Sequence, residues 1–190
     1  MKLGIDLDET IVGIMDPLLI YYKERTGRSI PKEEIYTSHL REIWNCSKEE
    51  ENNIIRDFYA SDHFDNLKLY NGVLESLSKL KENNELYIIT SRWGIGKDKT
   101  HKFLDDNLNG LVSKTFFTSE HSKEGLKKEE ICIKYSISLH IEDDPNIALK
   151  CAESNVKVLL FNRPWNKNLF HKKVTRISSW PEALEILGLK

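Results

Sequence analysis

Residues 3–10 read Leu-Gly-Ile-Asp-Leu-Asp-Glu-Thr, an apolar and strand-like run that delivers two carboxylates, Asp6 and Asp8, where the strand pattern stops. Nearly continuous apolar character is typical of a central strand of a parallel sheet, because both faces of such a sheet are covered. At the carboxyl edge of the sheet the chain turns away, so both carboxylates and nearby backbone carbonyls can converge on one point. Oxygen ligands of this kind suit Mg²⁺. The stretch therefore predicts a central β-strand that ends in a site for a divalent cation.

The pattern Asp6-x-Asp8-x-Thr10 resembles the first motif of the haloacid dehalogenase (HAD) superfamily of aspartyl-phosphate phosphatases. The resemblance implies that Asp6 is the nucleophile that attacks phosphorus. It also implies that Asp8 acts as the general acid and base. The residue after Asp8, which is often Gly in the superfamily, is Glu9 in this chain.

The composition describes one globular unit of 190 residues, 39% hydrophobic and 31% charged, which is long enough to bury a core. A formal net charge of -2 provides no broad basic field, so we predict no nucleic-acid polymer as a partner. Three cysteines without C-x-x-C spacing indicate reduced thiols. No apolar run approaches the roughly 20 residues of a membrane span, and no signal peptide is evident. We therefore expect a cytoplasmic protein without a membrane partner, either a monomer or a homodimer.

From residue 73 onward, helical and strand patterns alternate along the chain. Helices are predicted at 73–80, 100–108, 127–135, 145–153 and 181–187, and strands at 86–90, 115–118, 139–141 and 156–161. This rhythm predicts an α/β fold in which a Rossmann-like parallel sheet carries helices on both faces.

The segment between the first two strands contains helical patterns only. Asp16-Pro17 marks the start of one helix, a second helix is predicted near Pro31, and Ser47 opens a capping box before a third helix. An insertion at this point is where the HAD superfamily places its smaller cap domain. The predicted division is a catalytic α/β core, residues 1–13 and 70–190, with a small all-helical cap, residues 14–69, inserted after the first strand.

Polar side chains end two of the later strands, and in parallel sheets ligands bind beyond the carboxyl ends of the strands. Strand 86–90 ends in Thr90-Ser91, and strand 139–141 is followed by Glu142-Asp143-Asp144. Adjacent acids repel one another unless a cation lies among them. They can also cap the helix that follows, because its N-terminus favours anions.

These two strand ends resemble the second and fourth motifs of the superfamily. The resemblance implies that Thr90 and Ser91 bind the phosphate. It makes Asp143 a ligand of Mg²⁺ and Glu142 either a direct ligand or a support for the ligands, whereas the role of Asp144 stays open. The implied metal set is Asp6, Asp8 through its backbone carbonyl, Glu142 and Asp143.

The third motif is a lysine upstream of the fourth, and this chain offers Lys123, Lys127 and Lys128. Counting back from the acidic strand end favours Lys128 as the phosphate-binding lysine, followed by Lys127. Arg92 and Lys99 follow the second motif and either reach a substrate phosphate or face solvent.

Within the superfamily, the helical insertion, the Thr90-Ser91 pair, the segment 161–166 and a late Ser179-Trp180 resemble the 5'(3')-deoxyribonucleotidases and their bacterial relatives. That resemblance implies Mg²⁺-dependent hydrolysis of a nucleoside monophosphate through an aspartyl-phosphate. Three alternatives remain: a HAD phosphatase of a sugar phosphate or another small metabolite, a non-catalytic phosphate- or metal-binding module, and a receiver-like signalling domain. The last fits least, because a receiver carries its phosphorylated Asp after the third strand and lacks a helical insertion.

Overall fold

The computed structural model describes residues 1–118 and 125–189, and within them six strands form one parallel sheet. The strands are β1 (Lys2–Ile5), β2 (Glu85–Thr90), β3 (Lys114–Phe117), β4 (Leu139–Glu142), β5 (Lys157–Phe161) and β6 (Val174–Ile177). Their order is β3-β2-β1-β4-β5-β6, which is the doubly wound Rossmann order. The predicted α/β fold with a central first strand is therefore confirmed.

Helices cover both faces of this sheet. The covering helices are α5 (Val73–Lys81), α6 (Ile95–Leu108), α7 (Lys128–Lys134), α8 (Pro145–Glu153) and α9 (Trp180–Ile186), whereas α1 (Met15–Thr26), α2 (Leu40–Trp44), α3 (Lys48–Tyr59) and α4 (Asp62–Asp65) belong to the segment between β1 and β2. Successive residues of a strand point to opposite faces. Accordingly, Ile88 belongs to the hydrophobic cluster that contains residues of α5 and α9, whereas Ile89 belongs to the cluster that contains residues of α7 and α8.

The strand order reverses between β1 and β4, and this is where the functional residues lie. Ile5 of β1 pairs with Ile88 of β2 on one side and with Ile141 of β4 on the other. The residues that follow these positions therefore leave the sheet at the same edge. Ligands of open α/β sheets bind in the crevice at such a reversal.

Three local features differ from the sequence prediction. The region near Pro31 is only a 3₁₀ turn, Lys32–Glu34, because Ile35 continues in an extended conformation and is buried. Helix α6 begins at Ile95 instead of residue 100, and it tolerates Gly96 in its first turn because the Tyr59 ring packs there; an added Cβ would lie 2.9 Å from that ring. Strand β6 was not predicted, since its four residues include Thr and Arg and form a strand through pairing with β5.

Helices α1–α4 lie between β1 and β2 in the sequence, as expected for the helical insertion. The chain enters and leaves this segment through two paired stretches. The Tyr70 backbone N–H donates to the Ile11 carbonyl at 2.9 Å, and the Gly13 N–H donates to the Lys68 carbonyl at 3.3 Å. The division into a core and a cap, after residue 13 and before residue 70, stays a prediction. Among the described residues, no helix has both the length and the apolar character to cross a membrane.

The capping box predicted at the start of α3 is confirmed. Ser47 Oγ accepts from the Glu50 backbone N–H at 3.2 Å, and Glu50 Oε2 accepts from the Ser47 N–H at 2.8 Å. Each bond satisfies a donor that the helix itself leaves unpaired. The capping box thus stabilises the start of α3, and α3 carries the buried core residues Ile54 and Phe58.

We expect Ser47→Ala to lower the free energy of unfolding by about 1 kcal/mol, because one backbone N–H of the first turn loses its acceptor. Urea unfolding monitored by circular dichroism measures this change. Ser78→Ala is the matched control: Ser78 lies inside α5, where its hydroxyl bonds the Leu74 carbonyl, and alanine favours the helix interior. Equal losses of unfolding free energy in the two variants would contradict a specific role for the capping box.

Candidate active site

Three buried carboxylates meet at the carboxyl edge of the sheet. Asp6 directly follows β1, Glu142 is the last residue of β4, and Asp143 comes next. One side-chain oxygen from each lies within 4.8 Å of the others. The structure thus brings together three of the four residues that the sequence pointed to as the metal set.

Lys128 lies among these carboxylates. Its Nζ donates to Asp6 Oδ1 at 2.5 Å and to Glu142 Oε2 at 2.9 Å, and its side chain is buried. Lys127, the neighbouring candidate, is exposed. Lys123 lies outside the described residues. Of the two candidates that the structure describes, Lys128 is the one that reaches the carboxylate cluster.

Both carboxylate oxygens of Glu142 are occupied by protein donors. Oε1 accepts from the backbone N–H groups of Asp143 and Asp144 at 3.0 and 3.1 Å. Oε2 accepts from Lys128 and lies 2.9 Å from His140 Nε2. Burial would raise the pKa of Glu142, but Lys128 and His140 together lower it. This arrangement suits a residue that orients the lysine and the strand end, and it leaves little room for a direct bond to a cation.

His140 lies at the centre of the sheet, and Gly4 of β1 leaves room for it. A Cβ at Gly4 would lie 2.8 Å from His140 Nδ1 and 2.9 Å from Ile89 Cδ1. Burial by itself would lower the pKa of His140, but the hydrogen bond to Glu142 raises it overall. Gly4 thus provides the space in which His140 lies, and His140 in turn contacts Glu142.

Excess negative charge makes this cluster a fitting site for a cation. Burial raises the pKa of Asp6 to about 7, although Lys128 acts in the opposite direction. Burial, followed by the charges of Glu142 and Asp6, raises the pKa of Asp143 well above its ordinary value. A divalent cation would favour the ionised form of both groups, and buried carboxylate oxygens are the ligands that Mg²⁺ prefers.

The segment after β5 holds Asp143 in place. Trp165 Nε1 donates to Asp143 Oδ2 at 2.9 Å, and Asn166 Nδ2 donates to the Asp143 carbonyl at 2.7 Å. Asn166 Oδ1 in turn accepts from Arg176 Nη2 of β6 at 2.7 Å. From the sequence, residues 161–166 are only part of the family resemblance, and no role is predicted for Asn166. The amide becomes informative only when its partners across the sheet are known.

The Asp8 side chain is not one of the three clustered carboxylates, and it pairs with Arg92. Arg92 Nη2 donates to Asp8 Oδ1 at 2.6 Å, and Nε donates to Oδ2 at 3.0 Å. Arg92 is 1% exposed, so it does not face solvent, and it forms part of the cavity wall beside Asp8. Lys99, the other cation considered for phosphate binding, forms an ion pair with Asp65 of α4 at 2.6 Å.

The two hydroxyls at the end of β2 have different positions. Ser91 lines the cavity, and its Oγ accepts from Thr118 Oγ1 at 3.1 Å. Thr90 is buried, and its Oγ1 accepts from the Arg92 backbone N–H at 3.3 Å. Within the part of the chain that the structure describes, Thr90 does not line the cavity. The structure therefore brings Ser91 to the site more directly than Thr90.

Asp144, whose role the sequence left open, caps α8. Its Oδ1 accepts from the backbone N–H groups of Asn146 and Ile147 at 2.8 and 3.0 Å. The capping alternative therefore holds for this acid, while the two acids before it belong to the carboxylate cluster.

Glu9 caps α1, which sequence reasoning did not anticipate. Its Oε1 accepts from the N–H groups of Ile14 and Met15 at 2.9 and 2.7 Å, and its Oε2 accepts from the Tyr70 hydroxyl at 2.7 Å. The backbone at Glu9 has a φ of 57°, in the left-handed region that favours glycine. Glycine would adopt this conformation without strain, whereas Glu9 keeps it while both of its carboxylate oxygens accept hydrogen bonds.

A cavity of about 520 Å³ lies between the carboxylate cluster and the helical insertion. The core side of its wall includes Asp6, Asp8, Ser91, Lys128 and Asp143. The insertion side includes Ser38, His39, Arg41, Lys48, Glu51, Asn52, Ile55 and Tyr59. A small molecule in this cavity would contact both parts of the chain at once.

The sheet order and the inserted helices are those of solved hydrolases of the HAD superfamily. A HAD-like family hydrolase from Streptococcus pneumoniae, SP0104, shares the fold with a TM-score of 0.73 at 16% identity, covering 98% of this chain and 97% of that chain. YfnB from Bacillus subtilis, a HAD-hydrolase solved bound to magnesium, has a TM-score of 0.67 at 14% identity and covers 98% of this chain and 97% of its own.

The family can also be stated. Residues 1–190 match the family model described as 5' nucleotidase, deoxy (pyrimidine), cytosolic type C protein, and the chain belongs to this family. A nucleotidase of Clostridium acetobutylicum is 25% identical over 190 residues, which covers 98% of this chain and 93% of the relative. The protein is thus a phosphoric monoester hydrolase, a phosphatase of the HAD nucleotidase type.

We expect Trp165→Phe to weaken divalent cation binding by about tenfold or more, because a buried oxygen of Asp143 loses its donor. Electron paramagnetic resonance of free Mn²⁺, a paramagnetic substitute for Mg²⁺, measures the Kd. Trp44→Phe is the matched control, since Trp44 is buried in the insertion and its Nε1 has no hydrogen-bond partner among residues 1–118 and 125–189. An unchanged Kd in Trp165→Phe would show that the indole does not support the cation site.

Proposed function

We propose that this protein hydrolyses nucleoside monophosphates, preferentially deoxyribonucleotides, in a Mg²⁺-dependent reaction that passes through an aspartyl-phosphate on Asp6. The observation that carries the proposal is the position of Asp6. Its carboxylate opens to the cavity at the end of the central strand, with Lys128 Nζ at 2.5 Å and Asp143 beside it. A nucleophile, a cation for phosphoryl oxygens and a candidate metal ligand thus lie together.

In the first step, an Asp6 carboxylate oxygen attacks phosphorus in line. The new O–P bond forms as the ester P–O bond breaks, and Asp8 gives a proton to the departing alkoxide. Lys128 and Ser91 bind phosphoryl oxygens as negative charge shifts among them. Thr90, whose hydroxyl supports the Arg92 backbone, holds the strand end on which Ser91 is presented.

In the second step, Asp8 accepts a proton from a water molecule, whose oxygen attacks the phosphorus of the aspartyl-phosphate. The Asp6–phosphate bond breaks, inorganic phosphate leaves and the Asp6 carboxylate is restored. Asp8 therefore serves as acid and then as base on the same side of the cavity.

Asp6 and Asp143, with the backbone carbonyl of Asp8, would hold Mg²⁺. When bound there, the ion neutralises the repulsion between an anionic nucleophile and an anionic phosphate. The excess of buried carboxylates over lysine supports this assignment. Glu142 is better suited to orient Lys128 than to bind the cation, because both of its oxygens already accept hydrogen bonds.

The cavity supports a substrate of nucleotide size. A volume of about 520 Å³ lies within the range of about 300–1,000 Å³ that is usual for small-molecule sites. The Tyr59 and Trp93 rings and the Asn52 amide line it, and they offer a stacking surface and hydrogen-bonding groups for a base. We propose that residues 14–69 act as the cap that excludes water. The cytoplasmic location and the monomeric or homodimeric state stay predictions.

The test of this function is phosphate release from nucleoside 5'- and 3'-monophosphates and from sugar phosphates, with Mg²⁺ and with EDTA. We expect turnover to require Mg²⁺, to be fastest on deoxyribonucleotides, and to fall about a thousandfold or more in Asp6→Asn, which removes the nucleophile. Asp98→Asn, an exposed carboxylate in the first turn of α6, is the control and keeps its activity.

Turnover confined to sugar phosphates would preserve the mechanism and refute the nucleotidase assignment. Binding of metal without turnover of any ester would instead support a non-catalytic module. Full activity of Asp6→Asn would refute the covalent mechanism itself.

We expect Lys128→Met to lower kcat/KM by about a hundredfold or more, because a positioned donor to the phosphoryl group is lost. Lys127→Met is the matched control, since the neighbouring lysine is exposed and carries the same charge. Steady-state kinetics on the best substrate of the panel measure both variants, with thermal unfolding to verify that each is folded. Similar losses in the two variants would contradict the assignment of Lys128.

A further inference from the structure

We propose that Arg92 is a positioning residue for Asp8: its guanidinium fixes the orientation in which the Asp8 carboxyl meets the leaving group, and it links that orientation to the helical insertion. The inference rests on the proposed function, in which Asp8 transfers the proton. It gives a role to a buried cation that neither the superfamily motifs nor the cavity wall alone explains.

The contact between Arg92 and Asp8 is bidentate. Nη2 donates to Oδ1 at 2.6 Å and Nε donates to Oδ2 at 3.0 Å, with a further contact from Nε to Oδ1 at 3.2 Å. A planar guanidinium that binds both oxygens sets the plane of the carboxylate as well as its position. The Asp8 side chain remains 27% exposed, so it faces the cavity while its orientation is fixed from behind.

The guanidinium is itself held rigidly on the core side. Arg92 Nη1 donates to Thr100 Oγ1 at 3.0 Å, and the Thr100 hydroxyl donates to the Gly96 carbonyl at 2.5 Å. Arg92 and Thr100 are both buried. The first two turns of α6 therefore support Arg92, and Arg92 transmits this support to Asp8.

The insertion contributes the other side of the guanidinium. The Phe64 ring of α4 lies 4.7 Å from Arg92 Cζ, which is a cation–π distance. Tyr59 of α3 packs on Phe64 with ring centroids 5.0 Å apart, and it also packs on Gly96. The position of Asp8 thus depends on contacts from both the core helix α6 and the insertion helices α3 and α4.

Orientation matters because a general acid acts only within hydrogen-bond reach of the atom that it protonates. Arg92→Lys keeps the positive charge but removes the bidentate contact, so the carboxyl of Asp8 gains rotational freedom. A purely structural ion pair would affect all substrates alike. A positioning role affects substrates in proportion to their need for the proton.

The experiment compares benzyl phosphate with p-nitrophenyl phosphate, two esters of similar size. Benzyl alkoxide needs a proton to leave, whereas p-nitrophenolate leaves without one. The readout is kcat/KM, which reports the step in which the ester bond breaks. We expect Arg92→Lys to lower kcat/KM for benzyl phosphate by about tenfold or more and to change that for p-nitrophenyl phosphate by less than about threefold. Equal losses on the two esters, or none, would overturn the proposal.

Thr100→Val provides a second variant, because it leaves Arg92 in place and removes the acceptor of Nη1. We expect a smaller loss with the same selectivity for benzyl phosphate. If Arg92→Lys does not fold, Thr100→Val is the test of the proposal. Equal losses of kcat/KM on the two esters in Thr100→Val would then overturn it. Lys99→Met is the matched control: Lys99 also lies over Phe64 and joins the core to α4 through Asp65, and it is not a partner of Asp8.

Two further variants separate this proposal from the proposed function. Asp8→Asn shows how much more kcat/KM falls for benzyl phosphate than for p-nitrophenyl phosphate when the acid is removed. Asp6→Asn abolishes turnover of both esters. If Asp8→Asn affects the two esters equally, the acid role of Asp8 fails, and the positioning role of Arg92 fails with it. If Asp8→Asn is selective and Arg92→Lys is not, only the role of Arg92 fails.

Discussion

Three carboxylates buried around one lysine, at the end of the central strand, are the constraint that the rest of the site satisfies. Burial and mutual repulsion raise the pKa of Asp6 and Asp143. Lys128 compensates part of this charge, and the remainder is what a bound cation would neutralise. The surrounding residues then hold each carboxylate separately: His140 and two backbone N–H groups bind Glu142, and Trp165 binds Asp143.

Not every acid of the motifs takes part in this cluster. Glu9 and Asp144 each accept two backbone N–H groups at the start of a helix, α1 in the first case and α8 in the second. Helix N-termini carry unpaired donors and a partial positive charge, so a carboxylate there is stabilised without a cation. Adjacent acids in one segment therefore divide between the carboxylate cluster and helix capping. Their surroundings, and not their residue type, decide the outcome.

The helical insertion is connected to the catalytic residues through a small set of contacts around Arg92. Phe64 covers the guanidinium, Tyr59 packs against Gly96, and Lys99 bonds Asp65. The insertion therefore does more than form one wall of the cavity. Its contacts bear on the residue that orients Asp8, so substrate contacts with the insertion and the position of the acid are physically linked.

The amino-acid sequence by itself determined the central strand, the acids at its end, the alternation that produces a parallel sheet, and the capping box at Ser47. These features depend on local periodicity and on donors and acceptors a few residues apart. Only the tertiary structure decided that Lys128 and not Lys127 meets the carboxylates, and that Arg92 pairs with Asp8, 84 residues away along the chain. It also decided β6, because a four-residue edge strand with two polar residues forms only through pairing with β5. Such choices depend on distances across the fold, which no local pattern encodes.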